Sequence, residues 1–360
     1  MLNNLYINKN NIIKNLKKIK NISPVICVVK DDAYGIGIEN IFPILYEEGE
    51  RYFAVAFFEE AEEIRKIKND VNIMILNYTE EENLEYCLKN NIEISVFNME
   101  QLISYINILK DEIRQVKIHL KFNTGMNRLG FELEEIETLS KLITENNLNI
   151  KSIFSHISNS ENIKYTEKQI EEFYKIINKI ELCGIRYEFK HVSASPTLFK
   201  YMGKYNFDYS RVGMAIYGLE PLSSDIGLEK CITLKSKIIN IRKVLKNEYI
   251  SYGEKNKVKE DILVGIIPIG YAQGIQMQIE NTEAYVLVNG ERADIIGEVC
   301  MDMMMINITN IKNVKILDEV IIIGKQENEE ISLREISKWT TTIQDDIITK
   351  ISKKIKRIVI

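Results

Sequence analysis

The chain has few of the residues that build metal or disulfide scaffolds. Its three histidines, His119, His156 and His191, lie far apart and form no His-Glu-x-x-His pattern. Its five cysteines, Cys27, Cys87, Cys183, Cys231 and Cys300, are odd in number and widely spaced, with no Cys-x-x-Cys pair. A disulfide framework is therefore not expected, and no metal site is either. With only five prolines and 17 glycines in 360 residues, no disordered linker is indicated. No apolar run reaches the roughly 18 residues that span a bilayer, and the start carries no signal-peptide pattern. No basic block stands out and the net charge is −5, so neither nucleic acid nor membrane is an expected partner. No internal repeat of solenoid period is present. The expectation is a soluble, cytoplasmic protein.

What is present is ordinary globular material, 45% hydrophobic and 28% charged, enough to bury a sizeable core. Through the first two thirds, short apolar runs alternate with amphipathic helical stretches. The runs are Val25–Lys30, Tyr52–Ala56, Ile73–Leu76, Ile92–Phe97, Val116–Phe122, Ser152–His156, Tyr187–Val192 and Arg211–Tyr217. Helical periods such as Glu59–Ile67 and Glu167–Ile177 lie between them. Eight strand–helix units predict an α/β fold with a (β/α)8 barrel over residues 1–222.

After about residue 220 the helical periods stop. Short β-branched runs take over: Ile232–Ile241, Asp261–Pro268, Glu283–Val288, Asp294–Val299, Met304–Ile308 and Glu319–Ile323. Turn signals such as Asn289-Gly290 separate some of them. This predicts a mainly antiparallel β domain over 223–360, with a closing helix at Leu333–Ile351. The first few residues of the chain are free to pack on this β domain.

Reactive groups of a (β/α)8 barrel lie at the C-terminal ends of its strands. Here the first strand ends in Lys30, followed by Asp31-Asp32-Ala33-Tyr34-Gly35-Ile36-Gly37. The fifth carries Lys121 and runs on to Arg128; the sixth ends at His156; the seventh ends at His191 and Ser193-Ala194-Ser195; the eighth begins at Arg211 and Gly213. Each has a plainer reading. A lysine after a strand is usually solvated, a lone histidine is usually a satisfied core residue, and Arg211 could be a simple ion pair. Gly35-Ile36-Gly37 lacks the third glycine of a dinucleotide loop. Their joint position at one barrel end is what points to chemistry.

Several longer blocks resemble one family. Val29-Lys30-Asp31-Asp32-Ala33-Tyr34-Gly35 resembles the pyridoxal-5′-phosphate (PLP) lysine motif of alanine racemases. The segments from His119 to Gly130 and from Arg211 to Gly218 resemble two further blocks of that family. Ser251-Tyr252-Gly253, Pro268-Ile269-Gly270-Tyr271-Ala272 and Val299-Cys300-Met301-Asp302 complete the set, in family order over nearly the whole chain.

The resemblance implies that Lys30 holds PLP covalently and is one of two racemising bases, with its pKa lowered by a buried, cation-rich setting. It implies that Tyr252 is the other base, reaching the site from the partner subunit of a homodimer with shared active sites. Arg211 is implied beside the pyridine nitrogen, where a permanent cation discourages protonation, with His156 supporting it. Tyr34, Ser195, Gly213 and Met214 are implied phosphate contacts, the last two through backbone N–H groups. Arg128 is implied to bind the cofactor's phenolic oxygen and the substrate carboxylate, and Lys121, often carbamylated in the family, to orient it. Tyr271 and Met301 are implied at the substrate, with Asp302 in support.

Some positions depart from the family's pattern. Gln273 replaces an acid, Met277 and Glu298 stand where arginines are usual, Ala194 replaces an asparagine, and Asp345 stands where a tyrosine is common. In the family these positions line the substrate entrance, apart from Ala194, which lies in the motif before Ser195. Glu298 and Asp345 suggest a more acidic entrance admitting serine or basic amino acids beside alanine. Drift with alanine retained is the plainer account. A PLP decarboxylase, a PLP-binding homeostasis protein and a nicotinamide-dependent reductase are the remaining alternatives. The Tyr252 block and the β domain argue against the first two, and the absent third glycine against the last.

Overall fold

The structure, a computed structural model, describes residues 2–280 and 282–360. The chain opens with a strand, β1 (Asn4–Ile7), and a helix, α1 (Lys9–Lys20). The Asn8 side chain caps α1 by accepting from Asn11 N at 3.0 Å. Ile12, Leu16 and Ile19 are buried on one face of it.

Eight parallel strands come next: β2 (Val25–Val28), β3 (Tyr52–Val55), β4 (Asn72–Ile75), β5 (Ile92–Val96), β6 (Lys117–Lys121), β7 (Asn149–Phe154), β8 (Phe189–His191) and β9 (Ser210–Val212). Their order, β8-β7-β6-β5-β4-β3-β2-β9, closes through one parallel bridge between Ala194 and Arg211. Helices alternate with the strands: α2 (Ile38–Glu47), α3 (Phe58–Ile67), α4 (Leu84–Lys89), α5 (Met99–Leu109), α6 (Ile136–Glu145), α7 (Ile163–Leu182) and α8 (Ser195–Tyr201). Strands covered by helices outside and filled by side chains inside are buried on both faces, as β2, β3 and β5 are throughout. This is the expected (β/α)8 barrel. In β7, Ile150 pairs with Ile118 but Ser152 with His119, so Lys151 is an extra residue. That bulge turns Ser152 inward beside His119.

The second region is built from β10 (Ile232–Lys237), β11 (Asn240–Val244), β12 (Tyr249–Ile250), β13 (Asn256–Lys257), β14 (Ile262–Ile267), β15 (Tyr285–Val288), β16 (Glu291–Ile296), β17 (Met304–Asn307), β18 (Glu319–Gln326) and β19 (Glu329–Ile331). Two short helices, α9 (Leu333–Trp339) and α10 (Gln344–Thr349), precede the last strand, β20 (Lys356–Val359). The main sheet runs β11-β14-β17-β16-β15-β18-β10-β1-β20, antiparallel except for β1 beside β20. The expected mainly antiparallel β domain is therefore present, and β1 belongs to its sheet.

Three local differences have physical causes. The run Ile232–Ile241 is two strands, with Leu317 N donating to Ile238 O at the junction. The run Arg211–Tyr217 is a strand only to Val212, because the chain turns at Gly213 under the Tyr34 ring. The helical pattern Leu333–Ile351 breaks at Thr340-Thr341-Thr342, where β-branched residues disfavour helix and Thr341 takes a φ of 52°. Among the described residues no helix is long and apolar enough to cross a membrane.

Candidate active site

The barrel mouth is organised around an unusual backbone turn. After β2 and buried Val29, residues Asp31, Asp32, Ala33 and Tyr34 all adopt left-handed φ values, from 50° to 59°. L-residues resist this by about 1–2 kcal/mol each, so the surroundings must impose it. Ala33 N donates to Val29 O at 3.0 Å and Gly35 N to Asp31 O at 2.8 Å. Asp32 Oδ1 accepts from Ile38 N at 2.8 Å, and Arg357 Nη2 donates to Gly35 O at 2.7 Å. Gly35 is required here, since a Cβ would meet Ile348 O at 2.8 Å. The C-terminal segment of the β domain thus clamps the turn.

Lys30 starts this turn. Its side chain is 39% exposed, and Nζ lies 3.2 Å from Asp31 Oδ2. In the single chain the Lys30 amine is thus partly exposed, with a carboxylate beside it. Asp345, on α10, has its Oδ1 buried without a hydrogen-bond partner among the described residues. Burial raises its pKa, against the nearby charge of Lys30.

Three further cations gather around His156. Arg211 Nη2 donates to Ser155 O at 2.7 Å and contacts His156 Nδ1 at 3.2 Å, and Nη1 contacts His191 Nδ1. Burial lowers its pKa to about 9. Burial, then the charges of Arg211, Lys121, Arg128 and Lys30, pull His156 down to about 3, so it is a neutral acceptor. Lys121 is buried, with Nζ 5.7 Å from the Phe154 ring centroid. Burial, Arg211 and Arg128 lower it to about 8. Arg128 is exposed, on a loop that Asn123 organises by accepting from Gly125 N and Asn127 N, both at 3.0 Å.

Tyr34 folds back against Gly213 and Met214, and its ring lies 5.2 Å from that of Tyr217. A Cβ on Gly213 would meet the Tyr34 hydroxyl at 2.6 Å. Burial, then Asp345 and Asp31, raise the Tyr34 phenol, so it stays protonated and can donate. Ser195 is buried next to Ala194, which bridges to Arg211 of β9, and the Ser193 hydroxyl is buried with no hydrogen-bond partner among the described residues.

The remaining expected residues sit together on the β domain. Ser251 Oγ donates to Glu298 O at 2.9 Å, tying the Tyr252 loop to the 298–302 loop. Tyr271 N donates to Cys300 O at 3.1 Å and Ala272 N to Met301 O at 2.9 Å. Gly270 permits this approach, because a Cβ there would lie 2.1 Å from Cys300 O. Asp302 accepts from Gln273 Nε2 at 2.9 Å, and Glu298 pairs with Lys255 at 3.0 Å. Tyr252 is 69% exposed, Met301 56% and Tyr271 41%. Among the described residues no hydrogen bond or ion pair joins this group to Lys30. One chain therefore assembles Lys30, Tyr34, Arg211, His156, Lys121, Arg128 and Asp345, and leaves Tyr252, Tyr271 and Met301 facing outward.

Residues 7–221 match the alanine racemase N-terminal domain family and residues 231–359 its C-terminal domain family. The chain belongs to the alanine racemase family. It is 35% identical to the alanine racemase of Fusobacterium nucleatum subsp. nucleatum over 98% of this chain and 97% of that one. The structure of alanine racemase from Bacillus anthracis with bound L-Ala-P matches with a TM-score of 0.92 at 28% identity, covering 100% and 95% of the two chains. The alanine racemase of Bartonella henselae, whose structure contains covalently bound pyridoxal phosphate, shares the fold with a TM-score of 0.91 at 24% identity over 100% of both. The chain is thus an alanine racemase-type isomerase, and its family's substrate is a small amino acid.

Behind Arg211, the side chains of His191, Ser152, His119 and Glu93 are hydrogen-bonded in series inside the barrel, and none of the motifs points to Glu93 or Ser152. The signal was available. Polar residues alternate with Ile and Leu in Ile92-Glu93-Ile94-Ser95 and in Lys117-Ile118-His119-Leu120-Lys121. In strands buried on both faces, that alternation marks a polar interior.

Proposed function

We propose that this protein interconverts L- and D-alanine with PLP held covalently on Lys30, and that Lys30 and Tyr252 of the partner subunit are its two bases. The observation that carries this is the placement of Lys30: an accessible amine on a clamped left-handed turn, near the same buried His156 that feels Arg211, Lys121 and Arg128.

The residues fit the cofactor. The cradle at Gly213, the donating Tyr34 hydroxyl and the Met214 and Ser195 region suit a phosphate, and a carboxylate suits Arg128. Arg211, always a donor, suits a ring nitrogen kept unprotonated. Bound PLP supplies the electron sink that acidifies the substrate's α-hydrogen.

Lys30 Nζ takes the α-proton from one face, and the Tyr252 hydroxyl returns a proton to the other. For the opposite enantiomer the roles exchange. One turnover leaves Lys30 with an added proton and Tyr252 without its own, and a turnover in the other direction, or proton exchange with solvent, restores both. Tyr252 acts on the partner's site because it is exposed and has no link to Lys30 in its own chain. A homodimer results, with the Tyr252, Tyr271 and Met301 face against the partner's barrel. Lys121, with its pKa held near 8, keeps a fraction of free amine able to take up carbon dioxide as a carbamate.

The test is α-proton exchange in deuterated water. Tyr252→Phe should lower kcat by about 10²–10⁴-fold, the worth of a positioned acid–base group. Its loss should fall unequally on the two enantiomers. Equal activity to the wild type would overturn the two-base reading. A second reading, turnover of serine or basic amino acids, rests on the unpartnered Asp345 Oδ1 beside Lys30. Glu298 adds little to it, being paired with Lys255. Comparing kcat/KM for alanine, serine and lysine decides between the readings. A strong alanine preference, unchanged by Asp345→Tyr, would sink the second.

A further inference from the structure

The barrel interior holds a chain of polar side chains that the two-base scheme does not use. Arg211 is buried, yet the hydrogen-bond acceptors around its terminal nitrogens are all neutral: His191 Nδ1, His156 Nδ1 and the carbonyls of Ser155, His191 and Val192. A buried charge without a counter-charge is costly.

The hydrogen bonds lead to one. A guanidinium only donates, so Nη1 fixes His191 Nδ1 as an acceptor. Neutral His191 then carries its proton on Nε2, which faces Ser152 Oγ at 3.0 Å. Ser152, accepting from His191, gives its own hydrogen to His119 Nδ1 at 2.6 Å. His119 is left with its proton on Nε2, and this donates to Glu93 Oε2 at 3.0 Å. The Tyr52 hydroxyl donates to the same oxygen, and Lys117 Nζ lies 3.5 Å from the other. Every donor points from the mouth toward Glu93. The two ends demand the same direction, because a carboxylate only accepts. Glu93, His119, Ser152 and His191 are all fully buried.

We propose that Glu93, near the closed end of the barrel, is a positioning residue for Arg211: through His119, Ser152 and His191 it fixes the orientation of the guanidinium and provides the carboxylate that answers its buried charge. Burial alone would raise the Glu93 carboxyl. The hydrogen bonds from His119 and Tyr52 and the charge of Lys117 outweigh that and hold it lowered, hence ionised. The functional consequence rests on the PLP reading of Arg211; the chain itself does not.

The test separates the two. With three histidines in the sequence, ¹⁵N-histidine-labelled protein gives three imidazole signatures. His119 and His191 should both show protonated Nε2 and unprotonated Nδ1. Glu93→Gln should shift both imidazoles. In a Ser152→Ala background the same substitution should still move His119 and no longer move His191. In the PLP-loaded protein, Glu93→Gln should lower kcat roughly 10-fold with KM unchanged, the low end of what losing an outer hydrogen-bond partner costs at a ligand site. Should Glu93→Gln fail to fold, Tyr52→Phe removes one hydrogen bond to Glu93 and should give smaller shifts at the same two histidines. A proton on His191 Nδ1 would overturn the proposal. So would a His191 shift that survives Ser152→Ala undiminished. If the coupling is seen but the protein does not take up PLP, the Glu93 chain stands and the PLP reading falls.

Discussion

The two halves of the barrel interior are made of different chemistry. Strands β2 to β4 turn Ile26, Val28, Ala54 and Met74 inward, and these pack as one cluster with Phe154, Phe189 and the ring of Tyr52, whose hydroxyl alone reaches across to Glu93. Strands β5 to β9 turn Glu93, His119, Lys121, Ser152, His191 and Arg211 inward. Both halves are buried to the same degree. Burying the first yields hydrophobic stabilisation, whereas burying the second must overcome desolvation. Arg211, His191, Ser152, His119 and Glu93 Oε2 are tolerated there because they satisfy one another in a single direction, and the chain delivers a fixed cation to the mouth. Lys30 lies beyond the apolar half and Arg211 in the polar half, so the site straddles the two.

That contrast can be broken by substitution. The largest effect is expected at Arg211→Leu. It removes a preorganised charge, and a loss of about 10²–10³-fold in kcat is typical of such a group. Steady-state kinetics on the PLP-loaded protein checks it. Unchanged kcat would mean that the polar half does not serve the site.

The next effect concerns Lys121, whose folded pKa of about 8 lies below the ordinary lysine value of 10.5. Between those values the unfolded chain binds more protons than the folded one, so stability rises with pH across that window. Below it the penalty is fully present, roughly 3 kcal/mol at 1.36 kcal/mol per unit. Lys121→Met should therefore be more stable at pH 7, with the difference shrinking toward pH 10. Urea titrations in carbon-dioxide-free buffer measure this, and a constant difference would contradict it.

The smallest effect is expected from the apolar half. Ile26→Val should cost about 0.5–1.5 kcal/mol in unfolding free energy. Cofactor affinity and kcat should stay unchanged. If Ile26→Val disturbed kcat as much as Arg211→Leu, the division between the halves would fail.

Much of the architecture was legible in the sequence, because each barrel strand is a short apolar run that helical periods separate. The place of Lys30 directly after the first barrel strand was legible because that apolar run ends there. The pairing of β1 with β20 was not, since its partners lie at opposite ends of the chain and each has only four residues. The Glu93 chain was hidden for another reason. Its middle member, Ser152, meets His119 only through the bulge at Lys151, and a one-residue shift in register reverses which face a side chain takes.

The central claim concerns Lys30, and Lys30→Ala tests it most directly. The PLP-supplemented variant should lose the visible absorbance of lysine-bound cofactor and the racemisation of alanine together, while remaining folded by circular dichroism. Racemisation that persisted in Lys30→Ala would contradict the account.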